Sequence, residues 1–291
     1  MNLFAKLNRI LWLLRIEWMK KMTTTSRQLL ASCKRIVVKV GTSTIMYPNG
    51  NINLQRLEKL AFVLSDLKNQ GKEVILVSSG AVGVGISRLQ LTERPKTIPE
   101  QQAVASVGQT ELMNLYSTFF YGYGQIIGQV LMTRDIIEFP TSRLNAINTF
   151  EQLLIKGIIP IVNENDTVAV EELDHLTKFG DNDRLSAIVA EITNADLLIM
   201  LSDIDGFYNK NPNDEPDAVL FEEIQMITDE LYALAGGSGS SYGTGGMSTK
   251  LIAANHILKN ASQMVLANGE DPTIIFDIME GKQIGTLFSA N

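Results

Sequence analysis

Cysteine and histidine are nearly missing from this 291-residue chain: Cys33 is the single thiol, and His175 and His256 are the two imidazoles. One cysteine excludes an intramolecular disulfide framework and a cysteine-rich zinc site, and two histidines argue against a multi-histidine metal centre. Basic residues are short as well, 25 Lys+Arg against 32 Asp+Glu, for a net charge of −7. A general nucleic-acid binder needs a basic face to neutralise phosphates, so no nucleic-acid partner is expected. An anionic substrate stays compatible if a few lysines converge on one cleft. Long apolar runs are missing too. In the first 33 residues the longest is 10–14, and no small-residue cleavage signal follows, which argues against a spanning helix, stable membrane insertion and a secretory signal. The composition points to a globular protein of a reducing compartment, the cytoplasm.

What is present suffices for a core: hydrophobic residues make up 45%, and the length suits one large domain or two small ones. Residues 1–33 stand apart. Leu3, Phe4, Leu7, Ile10, Leu11, Leu14 and Trp18 recur at helical spacing with Lys6, Arg9, Arg15, Lys20 and Lys21 between them, an amphipathic pattern suited to a membrane surface or another subunit. Met22, followed by a polar Thr-Thr-Thr-Ser stretch, offers a plainer reading as the true start behind a dispensable leader.

From Arg35 on, the spacing predicts nearly all-apolar strands at 35–40, 73–77, 126–132, 158–162, 196–201 and 263–266. Helices are predicted at 54–69, 100–120, 142–156, 182–193 and 248–259, with Gly71 closing the first. Buried strands alternating with helices make an α/β fold, a three-layer α/β/α sandwich around a mainly parallel central sheet. Residues 167–178, with Val168, Val170 and Leu173 among acids, read as a hairpin beside it.

Ligands of such sheets bind beyond the carboxyl ends of the strands, so the residues that follow each strand come first. At Lys39-Val40-Gly41-Thr42-Ser43, Gly41 lets the backbone approach a phosphate, and Lys39 is costly to bury without an anion. A snorkelling strand-end lysine has the same appearance. In Ser78-Ser79-Gly80-Ala81-Val82-Gly83-Val84-Gly85, exposed N–H groups suit a carboxylate or phosphate. The glycines lack the dinucleotide order, and close packing of a helix against the sheet explains them equally well. Asn163-Glu164-Asn165-Asp166 suits an amino acid's ammonium and carboxylate, or an Asx turn. Gly180-Asp181-Asn182-Asp183 carries two aspartates two residues apart, more than a helix cap needs, so part of it faces a cation or a lysine. Ser202-Asp203 goes with Gly243-Thr244-Gly245-Gly246-Met247-Ser248-Thr249-Lys250, a glycine-rich loop running into a helix. Amides, hydroxyls and Lys250 form a polyphosphate cradle there without the P-loop order; a flexible loop is the alternative.

Together with Ala105-Ser106-Val107-Gly108-Gln109, these motifs occur in the order found in glutamate 5-kinases, and from about Arg35 to Phe288 the chain resembles that branch of the amino acid kinase family. The resemblance implies the amino acid kinase, acetylglutamate kinase-like fold. It also implies transfer of the γ-phosphoryl of ATP, with Mg2+, to the side-chain carboxylate of L-glutamate, the first step towards proline. By position, Lys39 and Lys250 match phosphate-binding catalytic lysines and Asp183 the aspartate that orients them. Ser79, Asp166 and Asn182 match glutamate ligands, with Asp181 behind them. Lys39, Gly41, Ser202, Asp203, Thr244, Gly245, Gly246, Met247, Ser248, Thr249 and Lys250 match the ATP site, where serine at 202 keeps the hydroxyl of the family's frequent threonine. Mg2+ is implied as a passenger on ATP, with no protein metal site. A homo-oligomer inhibited by proline, acting through the region from 80–85 to Asp166, is implied as well.

The chemistry suits the composition. A glutamate carboxylate, with a reference pKa of about 4.3, is ionised at neutral pH and needs no catalytic base. The difficulty is bringing it up to a polyphosphate, and one unit-charge pair at ~4 Å is worth about 4 kcal/mol at an effective dielectric of ~20. The alternatives are a kinase of acetylglutamate, aspartate or carbamate, a dinucleotide-dependent oxidoreductase, and a non-catalytic amino-acid sensor. The missing G-x-G-x-x-G counts against the oxidoreductase, and the retained lysines and Asp183 against the sensor. Residues 34–291 are expected to form one domain behind a 1–33 extension, with no room for the carboxyl-terminal RNA-binding-type PUA domain of many relatives.

Overall fold

Arg35–Val40 (β1) is apolar on both sides because it separates two cores: Ile36, Val38 and Val40 enter one, and Val37 enters the other. The computed structural model describes residues 25–168, 182–236 and 246–290. Seven further strands follow: β2 (Glu73–Ser78), β3 (Ile127–Met132), β4 (Ile159–Glu164), β5 (Leu197–Ser202), β6 (Glu223–Ile224), β7 (Gln263–Asn268) and β8 (Thr286–Phe288). They form one sheet in the order β3-β4-β2-β1-β5-β7-β8-β6. Every pairing from β3 across to β7 is parallel; β8 runs antiparallel to β7, and β6 parallel to β8.

The longer helices are α1 (Leu54–Asn69), α2 (Ala81–Leu89), α3 (Ile98–Gly122), α4 (Pro140–Ile155), α5 (Asn182–Ile192) and α6 (Met247–Lys259). Leu57, Leu60 and Leu64 of α1 and Leu112, Tyr116 and Phe120 of α3 cover one face of the sheet. Phe150 of α4, Leu185 and Val189 of α5 and Leu251 and Ile257 of α6 cover the other, completing the three layers. Local chemistry sets the ends. Asn53 caps α1, Gly71 follows it at φ 87°, and a Thr97–Glu100 capping box starts α3 two residues earlier than periodicity predicts.

The expected strand at 158–162 runs on to Glu164, so the polar motif there begins inside a strand, with Asn163 and Glu164 paired to Leu131 and Met132. Asp196 stops short of β5, and its carboxylate accepts the N–H groups of Lys34 and Arg35. Gly85 of α2 and Gly108 of α3 serve a helix–helix contact, not the helix–sheet contact offered as the alternative to ligand binding. A Cβ on Gly85 would lie 2.1 Å from the carbonyl oxygen of Val104, and one on Gly108 1.8 Å from that of Ala81. Residues 26–32, assigned to the extension on composition, are helical turns packed into the fold. Leu30 is fully buried, and Arg27 donates to the carbonyls of Glu222, Lys282, Ile284 and Gly285. The hairpin expected at 167–178 lies almost wholly outside the described residues. Among the described residues, no helix is long and apolar enough to cross a membrane.

The path of the chain places the ligand crevice. From β1 it moves outward through β2 to β3 and β4, then returns to the opposite side of β1 as β5. The carboxyl ends of β1 and β5 flank this reversal, where open parallel sheets bind ligands.

Candidate active site

Alternation along β1 puts Lys39 on the same face as Val37, beneath α5 and α6. Asp183, in the first turn of α5, meets it there with Oδ1 2.5 Å from Lys39 Nζ. Lys250, in the first turn of α6, lies 3.0 Å from Asp183 Oδ2, and Thr249 Oγ1 donates to the same oxygen at 2.8 Å. All three charged side chains are buried. Burial pushes the Asp183 carboxyl up, but the ammoniums of Lys39 and Lys250 outweigh it and hold the group below the usual carboxylate range. Lys39 and Lys250 thus share the Asp183 carboxylate, one on each oxygen.

The helix ends add to this field. Gly246, the extended N-cap of α6, supplies no side-chain cap; the N–H of Thr249 turns back to its carbonyl, and among the described residues no side chain caps those of Met247 and Ser248, a place suited to a phosphate. Gly41 follows β1, and a Cβ there would stand 3.7 Å from Lys39 Nζ and from Ser43 Oγ. Ser202 Oγ donates to Asp203 Oδ1 at 3.0 Å at the end of β5. Met247, expected at the ATP site, turns its side chain to the core, and Ser248 beside it is half-buried. Thr244, Gly245 and Asp181 fall outside the described residues.

One residue before Asp183, Asn182 turns to the ends of β2 and β4. Its Nδ2 donates to Ser79 Oγ at 2.8 Å and to Asn163 Oδ1 at 3.1 Å. Asn163 Nδ2 in turn donates to Gln109 Oε1 of α3 at 2.8 Å. Asn163 and Gln109 are buried. Asn163 belonged to a motif read as suiting an amino acid's ammonium and carboxylate, but Gln109 was given no role, although a signal existed: it shares the apolar stripe of α3 with Ala105, Leu112 and Tyr116, where a polar side chain needs a partner. Asn165 sits in a turn closed by its carbonyl and the N–H of Val168, with its Oδ1 accepting from the Thr167 hydroxyl rather than from a backbone N–H as in an Asx turn, while Asn163 faces Gln109. Asp166 is half-buried, makes no hydrogen bond or ion pair with a described residue, and has its carboxyl raised by burial. A groove of about 460 Å3 between Arg143, Glu191, Asn194 and Asn260 lies at the opposite, amino end of the strands. Its charges are already paired, Glu191 with both Arg143 and His256, and it gathers none of the candidate residues.

A parallel sheet with two buried lysines and a glycine-capped helix start at its switch point is the arrangement of a phosphoryl-transfer protein. Residues 34–268 match the model of the amino acid kinase family, and the chain belongs to that family. Within it, the chain is 67% identical over 264 residues to the glutamate 5-kinase of Listeria monocytogenes serovar 1/2a, covering 91% of this chain and 96% of that one. It is 66% identical over 262 residues to the glutamate 5-kinase of Enterococcus faecalis, covering 90% and 97%. Among solved structures, carbamate kinase from Giardia lamblia bound to AMP-PNP aligns with a TM-score of 0.61 at 17% identity, covering 90% of this chain and 100% of that one. The isopentenyl phosphate kinase product complex from T. acidophilum aligns at 0.60 and 19%, covering 88% and 100%. These two likenesses concern the fold.

Proposed function

We infer that the chain is a glutamate 5-kinase: it transfers the γ-phosphoryl of ATP to the side-chain carboxylate of L-glutamate, giving L-glutamate 5-phosphate and ADP at the entry to proline biosynthesis. The observation that carries this reading is the buried Lys39–Asp183–Lys250 cluster, joined to Ser79 and Asn182 through neighbouring residues of one helix turn. A glutamate carboxylate oxygen attacks the γ-phosphorus as the bond to the bridging oxygen breaks, and the electron pair leaves with ADP. Both partners are anions before and after transfer, so catalysis rests on placement and countercharge. Lys39 and Lys250 lower the repulsion at the moving phosphoryl, and Asp183 holds the two ammoniums at a fixed separation.

On the acceptor side, Asn182 and Asp166, which has no partner among the described residues, suit the substrate ammonium, with Ser79 beside them. On the donor side, the start of α6, Gly41 and the Ser202–Asp203 pair form the nucleotide bed. Mg2+ belongs to the nucleotide as MgATP: both Asp183 oxygens are engaged by lysines, which leaves that carboxylate unsuited to hold a cation. We place the catalytic unit in one domain that also takes in residues 25–33. A homo-oligomer restrained by proline, working in the cytoplasm, completes the reading. Cys33, a buried free thiol pushed up to about 11 by burial, suits a reducing compartment.

The test is phosphoryl transfer from MgATP to a panel of L-glutamate, N-acetylglutamate, aspartate and carbamate, with hydroxylamine trapping the acyl phosphate. Glutamate-dependent ADP release with matching hydroxamate is expected. Preference for another acceptor, or no transfer at all, overturns the reading.

A further inference from the structure

Gln109 lies outside every motif assigned to a ligand, yet it is joined to the acceptor side by a chain of carboxamides. We propose that Gln109 is a positioning residue that, together with the backbone N–H of Glu164, holds Asn163 and through it Asn182 in one orientation, so that Asn182 offers the amino-acid substrate an acceptor instead of a donor. The inference rests on the acceptor reading given above.

A carboxamide has one accepting end and one donating end, so a neighbour that fixes one end fixes both. Gln109 Oε1 takes the Nδ2 of Asn163, which directs Asn163 Oδ1 the other way. That oxygen accepts the backbone N–H of Glu164 at 2.9 Å and Asn182 Nδ2 at 3.1 Å. Asn182 Nδ2 also faces Ser79 Oγ at 2.8 Å and the carbonyl of Ser78 at 3.4 Å, so its donors are turned to the protein. Asn182 Oδ1 is left shut off from solvent with no hydrogen-bond partner among the described residues. A buried, unanswered acceptor is costly, and a donor from the ligand removes the cost. The ammonium of an α-amino acid is such a donor.

Gln109 can reach Asn163 because α3 crosses α2 at backbone distance. Gly108, its neighbour, fits against the carbonyl of Ala81, where a Cβ would stand 1.8 Å away. Without the Gln109 acceptor, Asn163 Nδ2 is left buried without its partner; turning over to find another gives up the Glu164 N–H and sets the amides of Asn163 and Asn182 donor to donor, so Asn182 loses its single fixed orientation towards the substrate ammonium.

The test compares Gln109→Met, similar in length with no acceptor, with Gln109→Glu, which keeps an acceptor towards Asn163. Wild type must first phosphorylate L-glutamate; failure there overturns the functional reading itself. With that activity in hand, Gln109→Met is expected to raise the KM for L-glutamate about five- to tenfold, the worth of one buried hydrogen bond, with the KM for ATP unchanged. Inhibition by glutarate, which lacks the ammonium, is expected to hold its wild-type Ki, and Gln109→Glu to recover most of the glutamate KM. An unchanged glutamate KM in Gln109→Met, equal losses for ATP and glutamate, equal losses for glutamate and glutarate, or no recovery in Gln109→Glu each overturn the proposal. If Gln109→Met does not fold, Gln109→Glu alone decides: a glutamate KM near wild type supports the acceptor role, and a several-fold rise refutes it.

Discussion

Replacing Asp183 with asparagine keeps the shape of the side chain and removes the negative charge that Lys39 and Lys250 share. Each ion pair, at about 3 Å, is worth about 5 kcal/mol at an effective dielectric of ~20, and the cost of burying the carboxylate offsets part of it. Breaking a buried pair by removing one partner costs about 3–5 kcal/mol, and here two ammoniums are left facing each other. For a domain of this size that corresponds to a fall in Tm on the order of 10 °C. Thermal unfolding of wild type and Asp183→Asn, with and without inorganic tripolyphosphate, measures it. The polyanion is expected to raise the Tm of the variant more than that of wild type, because it takes over the missing countercharge. The pH profile adds a sign. Folding depresses the Asp183 pKa, so the stability it contributes is full above the unfolded value of about 3.9 and is lost as pH falls through the lower folded value. The variant lacks that acid-side loss. Turnover is expected to drop with the lysine geometry. An unchanged Tm together with near-normal phosphorylation refutes the shared-charge argument.

Lys39→Ala and Lys250→Ala are each expected to lower turnover about 10²–10³-fold, the worth of one preorganised charge at the transferring group, while circular dichroism stays native. Near-wild-type rates in either variant contradict the assignment. Asp166→Asn is expected to stabilise the ligand-free protein at neutral pH, since burial raises this carboxyl and charging it costs stability as pH climbs from the unfolded to the folded pKa. The same change raises the glutamate KM about tenfold with the ATP KM steady; a selective ATP defect reverses the roles. Ala261, just past α6, sits at φ 55°. Ala261→Gly relieves a left-handed strain of about 1–2 kcal/mol, offset by about 0.4–1 kcal/mol of added chain entropy, so Tm is expected to rise by about 2 °C. A fall in Tm counts against that account.

Lys39, Asp183 and Lys250 were legible because each breaks a local rule: a lysine inside an apolar strand, a surplus aspartate at a helix start, a lysine behind glycines. Their convergence follows from the parallel sheet, which brings every strand's carboxyl end to one side. The Gln109–Asn163–Asn182 link was not legible, since contacts across tens of residues leave no spacing to count. Strand β6 and strand β8, of two and three residues, are too short for any period to register. Arg27 escaped for a related reason: its partners are backbone carbonyls, which every residue owns, so no sequence pattern marks them.

A single peptide bond joins Asn182, which faces the acceptor side, to Asp183, which governs the lysines. On the roles proposed above, the two halves of the reaction are geared together: a slide of α5 that recentres the acceptor drags the lysine pair off register with it. Redesign for a new acceptor is better written into the ends of β2 and β4, at Ser79 and Asn163, with α5 left untouched as the ruler between donor and acceptor.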